Sequence, residues 1–552
     1  MAAIPQPRVA FFCMEYGLDE KFPIYSGGLG VLAGDILKTA KDMKLPFVGV
    51  GILWNEGYSD QYLDKNGYPQ HARQNYDRSH LEDTGISVNL WIRGEEVTCK
   101  VWKTEAFGNV PLYLLDTDLP GTPHGWITRQ LYASSPQERV AAELVLGVGG
   151  VRFLRRLGFE PDIYHLNEGH AVFAGLELIR EKLARGSDFY QAWEETRQQI
   201  VFTTHTPVMA GNEEHDHDLL RHMGAWVGLE YDQVEQIGGN PFNMTVAGLR
   251  LSYISNGVSQ LHGATARAMW RGNSGTSPII SVTNGVHVET WQNELIRQTY
   301  NVQGNLWKTH LQLKKRLLEE IENRTGVALD LDTLTIGFAR RAAAYKRSGL
   351  IFYKPHVIEP LLQDRTIQLV YSGKAHPDDE FGKQIVANMA EMAYKFPDSV
   401  IFLENYNMEL GRLLTSGCDV WLNTPQRPLE ASATSGMKAA LNGVLNFSVL
   451  DGWWTEGCLH AVTGWEFGGG YEGPEQTMVD ALSLYEVLLE EIIPLYYEDR
   501  SRWQEMMRAS ISMGMHRFSA QRMLTEYNNL MYQPSTILRK IKRDVAHTMA
   551  IQ

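Results

Sequence analysis

Cysteine is scarce in this chain: four residues in 552, at positions 13, 99, 418 and 458, with no CxxC pair. That spacing excludes a disulfide framework and a cysteine zinc site, and predicts a reducing, cytoplasmic setting. Positive charge is also short, since 51 lysines and arginines against 65 acidic residues leave a formal charge of −14. Such a balance disfavours nucleic acid as the main partner and suits a neutral or small anionic substrate. No apolar run approaches the length of a membrane span, and "MAAIPQPRVAFFCMEYG" lacks a basic region followed by a long apolar stretch and a cleavage site. Internal repeats and low-complexity tracts are absent too. What remains is an ordinary globular composition, 44% apolar and 21% charged, in a chain too long for one core, so two domains are expected.

Apolar, β-rich runs alternate with helical patterns: "RVAFFCM" (8–14), "PFVGVGI" (46–52), "VPLYLLD" (110–116), "DIYHLN" (162–167) and "QIVFTTH" (199–205). After "PIISVTNGVHVETW" (278–291) the spacing predicts a helix over 306–326 closed by a glycine. A second series follows, "LTIGFAR" (334–340), "IQLVYSG" (367–373), "SVIFLENY" (399–406) and "CDVWLNTP" (418–425). Two successive series argue for an α/β protein of two doubly wound, Rossmann-like domains, with ligand in a cleft beyond the C-terminal strand ends. The domains are expected at 1–290 and 291–520, with 521–552 as a terminal helical element.

Several constellations carry possible chemistry. "PIYSGGLGVLAGD" (23–35) is a glycine-rich turn before a helical pattern, where backbone N–H groups can hold an anion; the alternative is a plain tight turn. Its GxGxxA match lies too far from the strand ending at Met14 for a dinucleotide fingerprint. In "FARRAAAYKRSGL" (338–350) a strand ends in Arg340 and Arg341, and Lys346 and Arg347 are expected to begin the next helix. Cations there oppose the helix dipole unless an anion binds, phosphate being the simple candidate and a solvated basic loop the alternative.

The stretch "EASATSGMKAALNGVLNFSVLDGWW" (430–454) places Lys438 among small and apolar residues, one helical turn from Thr434. A lysine beside a phosphate-binding turn is what a pyridoxal phosphate site needs, whereas the plain reading is a lysine snorkelling from an amphipathic helix. Asn167, Glu168, His170, His205 and Asn284 stand at strand ends and suit sugar hydroxyls. "NEEHDHD" (212–218) looks like a metal tract but reads better as a solvated loop, so no metal is expected. Trp453 and Trp454 offer either a stacking face for a sugar or core packing.

Taken in order, "MEYGLDEKFPIYSGGLGVLAGD", "HLNEGHAVFAGLELIRE", "TTHTPVMAGN", "TNGVHVETW", "RRAAAYKR", "SGKAHPDD", "FLENYNMEL" and "RPLEASATSGMKAALNG" resemble the α-glucan (glycogen, starch, maltodextrin) phosphorylases through most of the chain. The resemblance is to the compact bacterial and archaeal type. It implies two Rossmann-like domains in the glycosyltransferase-B arrangement, a C-terminal helix crossing back to the first domain, a homodimer, and pyridoxal 5′-phosphate carried by Lys438. The implied reaction is retaining phosphorolysis of an α-1,4-glucan by inorganic phosphate to α-D-glucose 1-phosphate, with the cofactor's 5′-phosphate relaying a proton. Arg341 and Lys346, with the N–H groups of Gly27 and Gly28, would hold the substrate phosphate. Arg340, Thr434 and Ser435 would hold the cofactor phosphate. The glucose hydroxyls would fall to His205, Asn284, Tyr345, Glu430, Ser432 and Ala433, the last two through their backbone.

This sequence departs from the longer animal and plant enzymes, which have glycine at Ala433, lysine at Arg340 and arginine at Asn407. It is also much shorter than they are, so phosphorylation or nucleotide control at the N-terminus is not implied. The rival readings are a nucleotide-sugar glucosyltransferase resembling glycogen synthase, which has no need of Lys438, and a silent glucan-binding protein, against which Arg341, Lys346 and Lys438 argue.

Overall fold

A computed structural model describes residues 6–533, Gln74 excepted. The chain divides into two compact units: the described residues of 1–58, 74–282 and 523–552 form the first, and those of 59–73 and 283–522 the second.

The first unit holds a nine-stranded sheet in the order 279–281, 254–257, 200–203, 163–167, 9–12, 47–52, 112–116, 95–104, 82–92. The first seven neighbours run parallel, and the last two strands close the sheet as an antiparallel hairpin. Strands Val9–Phe12, Phe47–Ile52 and Ile163–Asn167 are buried at every position, as parallel strands covered on both faces must be. Helix Gly28–Asp42 meets one face, Leu37 pressing on Gly49, while Gly150 of helix Gly150–Leu157 packs against Phe12 and Val50. Adjacent strand residues 49 and 50 face opposite ways, so the two helices lie on opposite faces.

The second unit contains a six-stranded, all-parallel sheet ordered 400–403, 367–372, 334–339, 420–423, 445–449, 464–467. Its two faces have separate cores. Ile336, Phe338, Leu369 and Leu422 belong to one cluster, and Ala339, Val370 and Trp421 to the other, the period-two alternation of a strand. Helix Leu306–Thr325 ends at Gly326 with φ 74°, the glycine stop that the sequence pattern predicts.

Three placements differ from the linear expectation. The break between units falls at 282/283 rather than 290/291. The hairpin Asp60–Leu63 and Pro69–Ala72 packs with the second unit, hundreds of residues away in sequence. Gln61 explains why: its buried amide donates to the Gly373 carbonyl at 3.0 Å and accepts from the Ala375 N–H at 2.8 Å. Finally, no helix begins at Lys346. Ala344–Lys346 is a single 3-10 turn, and the next α-helix is Pro355–Gln363. The dipole argument for an anion at Lys346 and Arg347 therefore fails.

Residues 523–533 belong to the first unit, where the Tyr532 hydroxyl lies 2.7 Å from His165 Nδ1 and Asn256 donates to Tyr527 at 3.4 Å. The rest of the expected terminal helix lies outside the described residues. No described helix is long and apolar enough to cross a membrane.

Candidate functional site

In the first unit the glycine turn precedes a helix, with Gly27 as its N-cap and Gly28 as its first residue. A side-chain carbon at either glycine would meet nothing within 4 Å, so space is open beside the backbone at both. The Gly28 N–H has no intrahelical partner by position. The N–H groups of Ser26 and Gly27 converge on Glu15 Oε2 at 2.5 and 3.2 Å, while the Tyr132 hydroxyl donates to Oε1 at 2.8 Å. The turn thus binds an anion, and here that anion is the buried Glu15 carboxylate. Gly30 makes room for it, since a Cβ there would stand 2.6 Å from Glu15 Oε2.

His205 follows strand Ile200–Thr203, with Nε2 2.7 Å from Asn167 Oδ1. Burial pushes its imidazole down to about 3, the nearby His262, His165 and His170 adding to the effect. Glu168 accepts from the His205 N–H at 2.8 Å, the Thr206 hydroxyl at 3.1 Å and its neighbour Gly169 at 3.2 Å. Its backbone sits at φ 78°, ψ 171°, a region almost reserved for glycine.

The second unit gathers Arg340, Lys346 and Glu430. Both cations contact Glu430 Oε2, Arg340 at 3.5 Å and Lys346 more closely, and Arg340 also donates to Asn423 Oδ1. Arg341 is exposed. Tyr345 lies under the Lys346 ammonium, 4.5 Å from ring centre to Nζ. These residues outnumber their shared carboxylate in charge, so the loop attracts anions. The Arg340 Nε, Ser432 Oγ and Asn284 Oδ1 atoms are buried without a hydrogen-bond partner among the described residues.

Ala433 adopts φ 69°, ψ 73° immediately before helix Thr434–Leu441. The Glu430 to Ser432 segment is tied down by a second turn: the Glu430 N–H donates to Asp451 Oδ2 at 2.9 Å, and the Trp453 N–H to the Ser432 carbonyl at 3.0 Å. Burial pushes Asp451 up to about 7, with the charge of Glu430 adding to the rise. Ser435 accepts from Trp421 Nε1 at 3.2 Å. Lys438, 8% exposed, places its ammonium 3.6 Å from the Trp291 ring centre.

This set fits the implied pyridoxal phosphate. It offers a buried lysine cushioned on an indole face, hydroxyls at a helix start, and a buried guanidinium with an orphan N–H. The structure brings Arg340, Lys346 and Glu430 together directly. Arg347 is structural instead, bonded to Asp480 at 2.6 Å and to the Thr424 and Pro425 carbonyls. Trp453 and Trp454 are core residues, each 1% exposed. The "NEEHDHD" tract is not the solvated loop expected of it: His215 and His217 are buried, and His215 Nε2 lies 3.2 Å from the buried Glu143. Asn407 caps helix Met408–Gly417 by accepting the Leu410 N–H. Asn423 and Trp291 carried no separable signal, because each acts through a partner far away in sequence, and the roles of Glu15 and Asp451 emerge only from the folded turns they hold.

Comparison with known proteins adds an independent finding. The carbohydrate phosphorylase family model matches residues 243–458, a segment that includes every predicted residue of the second unit. The maltodextrin phosphorylase of Thermococcus litoralis is 38% identical over 95% of this chain and 70% of its own length. The glycogen phosphorylase of Aquifex aeolicus is 34% identical, covering 96% of this chain and 87% of that one. An uncharacterised protein of Methanocaldococcus jannaschii is also 34% identical, over 95% of this chain and 99% of its own.

Proposed function

Since the chain belongs to the carbohydrate phosphorylase family, we propose that it is an α-1,4-glucan phosphorylase, removing the non-reducing-end glucose of maltodextrin or glycogen with inorganic phosphate to give α-D-glucose 1-phosphate. The observation that carries this reading is the orphaned polar set Asn284 Oδ1, Arg340 Nε and Ser432 Oγ. An unsatisfied buried polar group costs about 1–3 kcal/mol, and a ligand that satisfies it offsets that cost. All three stand on residues that the sequence motifs single out for substrate or cofactor.

In this reading Lys438 carries pyridoxal 5′-phosphate, and Arg340, Thr434 and Ser435 hold its phosphate. When bound, the cofactor supplies a phosphate group able to give and take a proton. Arg341 and Lys346 bind the substrate phosphate, served also by the Gly28 N–H and by that of Gly27 once it is released from Glu15. His205, Asn284, Tyr345, Glu430, Ser432 and Ala433 bind glucose hydroxyls. Glu430 and Asn423 fix the cations before any substrate arrives. Charge stabilisation then needs no reorganisation during the reaction. A homodimer in the cytoplasm completes the reading; for the compartment it draws on the free thiols of Cys13, Cys99, Cys418 and Cys458. Nothing favours the nucleotide-sugar transferase.

The test uses protein reconstituted with excess pyridoxal phosphate. Maltodextrin plus inorganic phosphate should yield α-D-glucose 1-phosphate, and borohydride reduction should leave a pyridoxyl group on Lys438. An unmodified Lys438, or glucose transfer only from a nucleotide sugar, overturns the proposal.

A further inference from the structure

Strands Val9–Phe12 and Ile163–Asn167 are neighbours, but the chain winds away from them in opposite directions, to 47–52 on one side and 200–203 on the other. The topological switch point of the first unit therefore lies beyond their C-terminal ends, where open α/β sheets bind ligands. Cys13 and Asn167 meet at this point. The Asn167 amide donates from Nδ2 to Cys13 Sγ at 3.3 Å and presents Oδ1 to His205 Nε2 at 2.7 Å.

The two ends of an amide differ, and that difference propagates. Once the thiol sulfur takes the NH2 end, the end facing the imidazole is a carbonyl, which can only accept. His205 must then carry its proton on Nε2, and a neutral ring with Nε2–H has a bare lone pair on Nδ1. Nδ1 makes no hydrogen bond among the described residues. The Glu168 carboxylate holds the same loop from behind through the His205 N–H and the Thr206 hydroxyl.

We infer that Cys13 and Asn167 are positioning residues that lock His205 in the Nε2–H form, so that Nδ1 accepts a hydrogen bond from a substrate hydroxyl. The inference deepens the phosphorylase reading and rests on it only for the owner of that hydroxyl, a glucosyl unit. Burial supports it by keeping the ring neutral. Cys13 acts here as a fully buried, uncharged acceptor, its thiol pushed up to about 12 by burial. It therefore supplies geometry and no nucleophile.

The decisive measurement is a long-range 1H–15N spectrum of the full-length holoenzyme labelled with 15N-histidine, the His205 signals being assigned by their loss in His205→Gln. An Nε2–H pattern unchanged from pH 5 to 8 supports the inference. An Nδ1–H pattern, or titration near the ordinary histidine value, overturns it. Cys13→Ala frees the amide to turn and should give mixed tautomers; an unaltered Nε2–H pattern in a folded Cys13→Ala protein would remove Cys13 from the mechanism. Should that variant not fold, the wild-type spectrum still decides.

Deoxyglucosyl phosphates, each lacking one hydroxyl, provide the functional readout in the synthetic direction. For one of them wild type should lose roughly 10- to 100-fold in kcat/KM, a loss that shrinks in Asn167→Leu because the acceptor is already misplaced. Equal losses in both proteins count against the inference. A protein that shows the tautomer but releases no glucose 1-phosphate retains the inference and loses the phosphorylase reading.

Discussion

Both sheets reverse their winding between two neighbouring strands, and each sets a polar bridge across the reversal: Asn167 to Cys13 in the first unit, Arg340 to Asn423 in the second. The topology is shared and the chemistry is opposed. The first switch point carries His205, Asn167 and Cys13, with the nearby anion nest filled by Glu15. The second carries two cations on one carboxylate. One buried network in each unit follows this division. His165 is linked to Tyr532 and Thr203 by neutral groups, whereas Lys314 is paired with Asp419 at 2.7 Å, both fully buried. A neutral site reads hydroxyls by direction, and a charged one holds anions by field.

The largest break in this comparison should come from the buried ion pair. Lys314→Met strips Asp419 of its ammonium, leaving it only His310 and the Thr335 N–H, and should cost about 3–5 kcal/mol in denaturant unfolding. Tyr532→Phe, its neutral counterpart, should cost about 1 kcal/mol. A similar loss from both would mean that charge makes no difference to the two cores.

Next comes activity. Lys346→Ala should lower phosphorolytic kcat on the order of 10²-fold, as the loss of one preorganised charge does elsewhere. A fall confined to KM would reassign Lys346 to ordinary ground-state binding.

The pH dependence sharpens the contrast in opposite directions. His165 and His205 are held down to about 3 and His262 to about 4, so the native first unit binds fewer protons than the unfolded chain. Its stability is complete above about pH 6.5 and is lost as pH falls from there towards those values. Asp451, raised to about 7, binds a proton that the unfolded carboxyl has already released. Its contribution is lost as pH rises from about 4 to 7. Hydrogen exchange across pH 4–8 should show protection around His165 falling on acidification. Around Asp451 it should fall, after correction for intrinsic rates, as pH rises, and Asp451→Asn should flatten that trend. Parallel trends in both regions would contradict this assignment.

The smallest effect concerns backbone strain, which each unit stores beside its candidate ligands, as at Glu168 and Ala433. Ala433→Gly relieves a left-handed alanine and should stabilise the protein by about 1 kcal/mol in thermal melts. Glu168→Gly relieves strain but removes a carboxylate that accepts three hydrogen bonds, so it should destabilise. A stabilised Glu168→Gly protein would show that Glu168 contributes less than its backbone costs.

Much of this was legible in the linear chain. Apolar runs of strand length named the central strands, the glycine at 326 marked a helix end, and ordered motifs picked out Arg340, Lys346, Glu430 and Lys438. Those signals live within a window of about ten residues, where hydrophobic period and turn chemistry act. The edge hairpin 82–92 and 95–104 escaped because its outward face is polar and its pairing antiparallel.

The sequence by itself determined the two α/β series, the chemical inventory of each motif and the family. Only the tertiary structure decided that 59–73 packs with the second unit, that Arg347 is a strut, that Trp453 and Trp454 are core, and that Glu15 fills the glycine turn. The same is true of the thiol that orients the amide beside His205. Local propensity is written in neighbouring residues, whereas a hydrogen bond between Cys13 and Asn167 spans 154 positions and exists only once the sheet has brought their strands side by side.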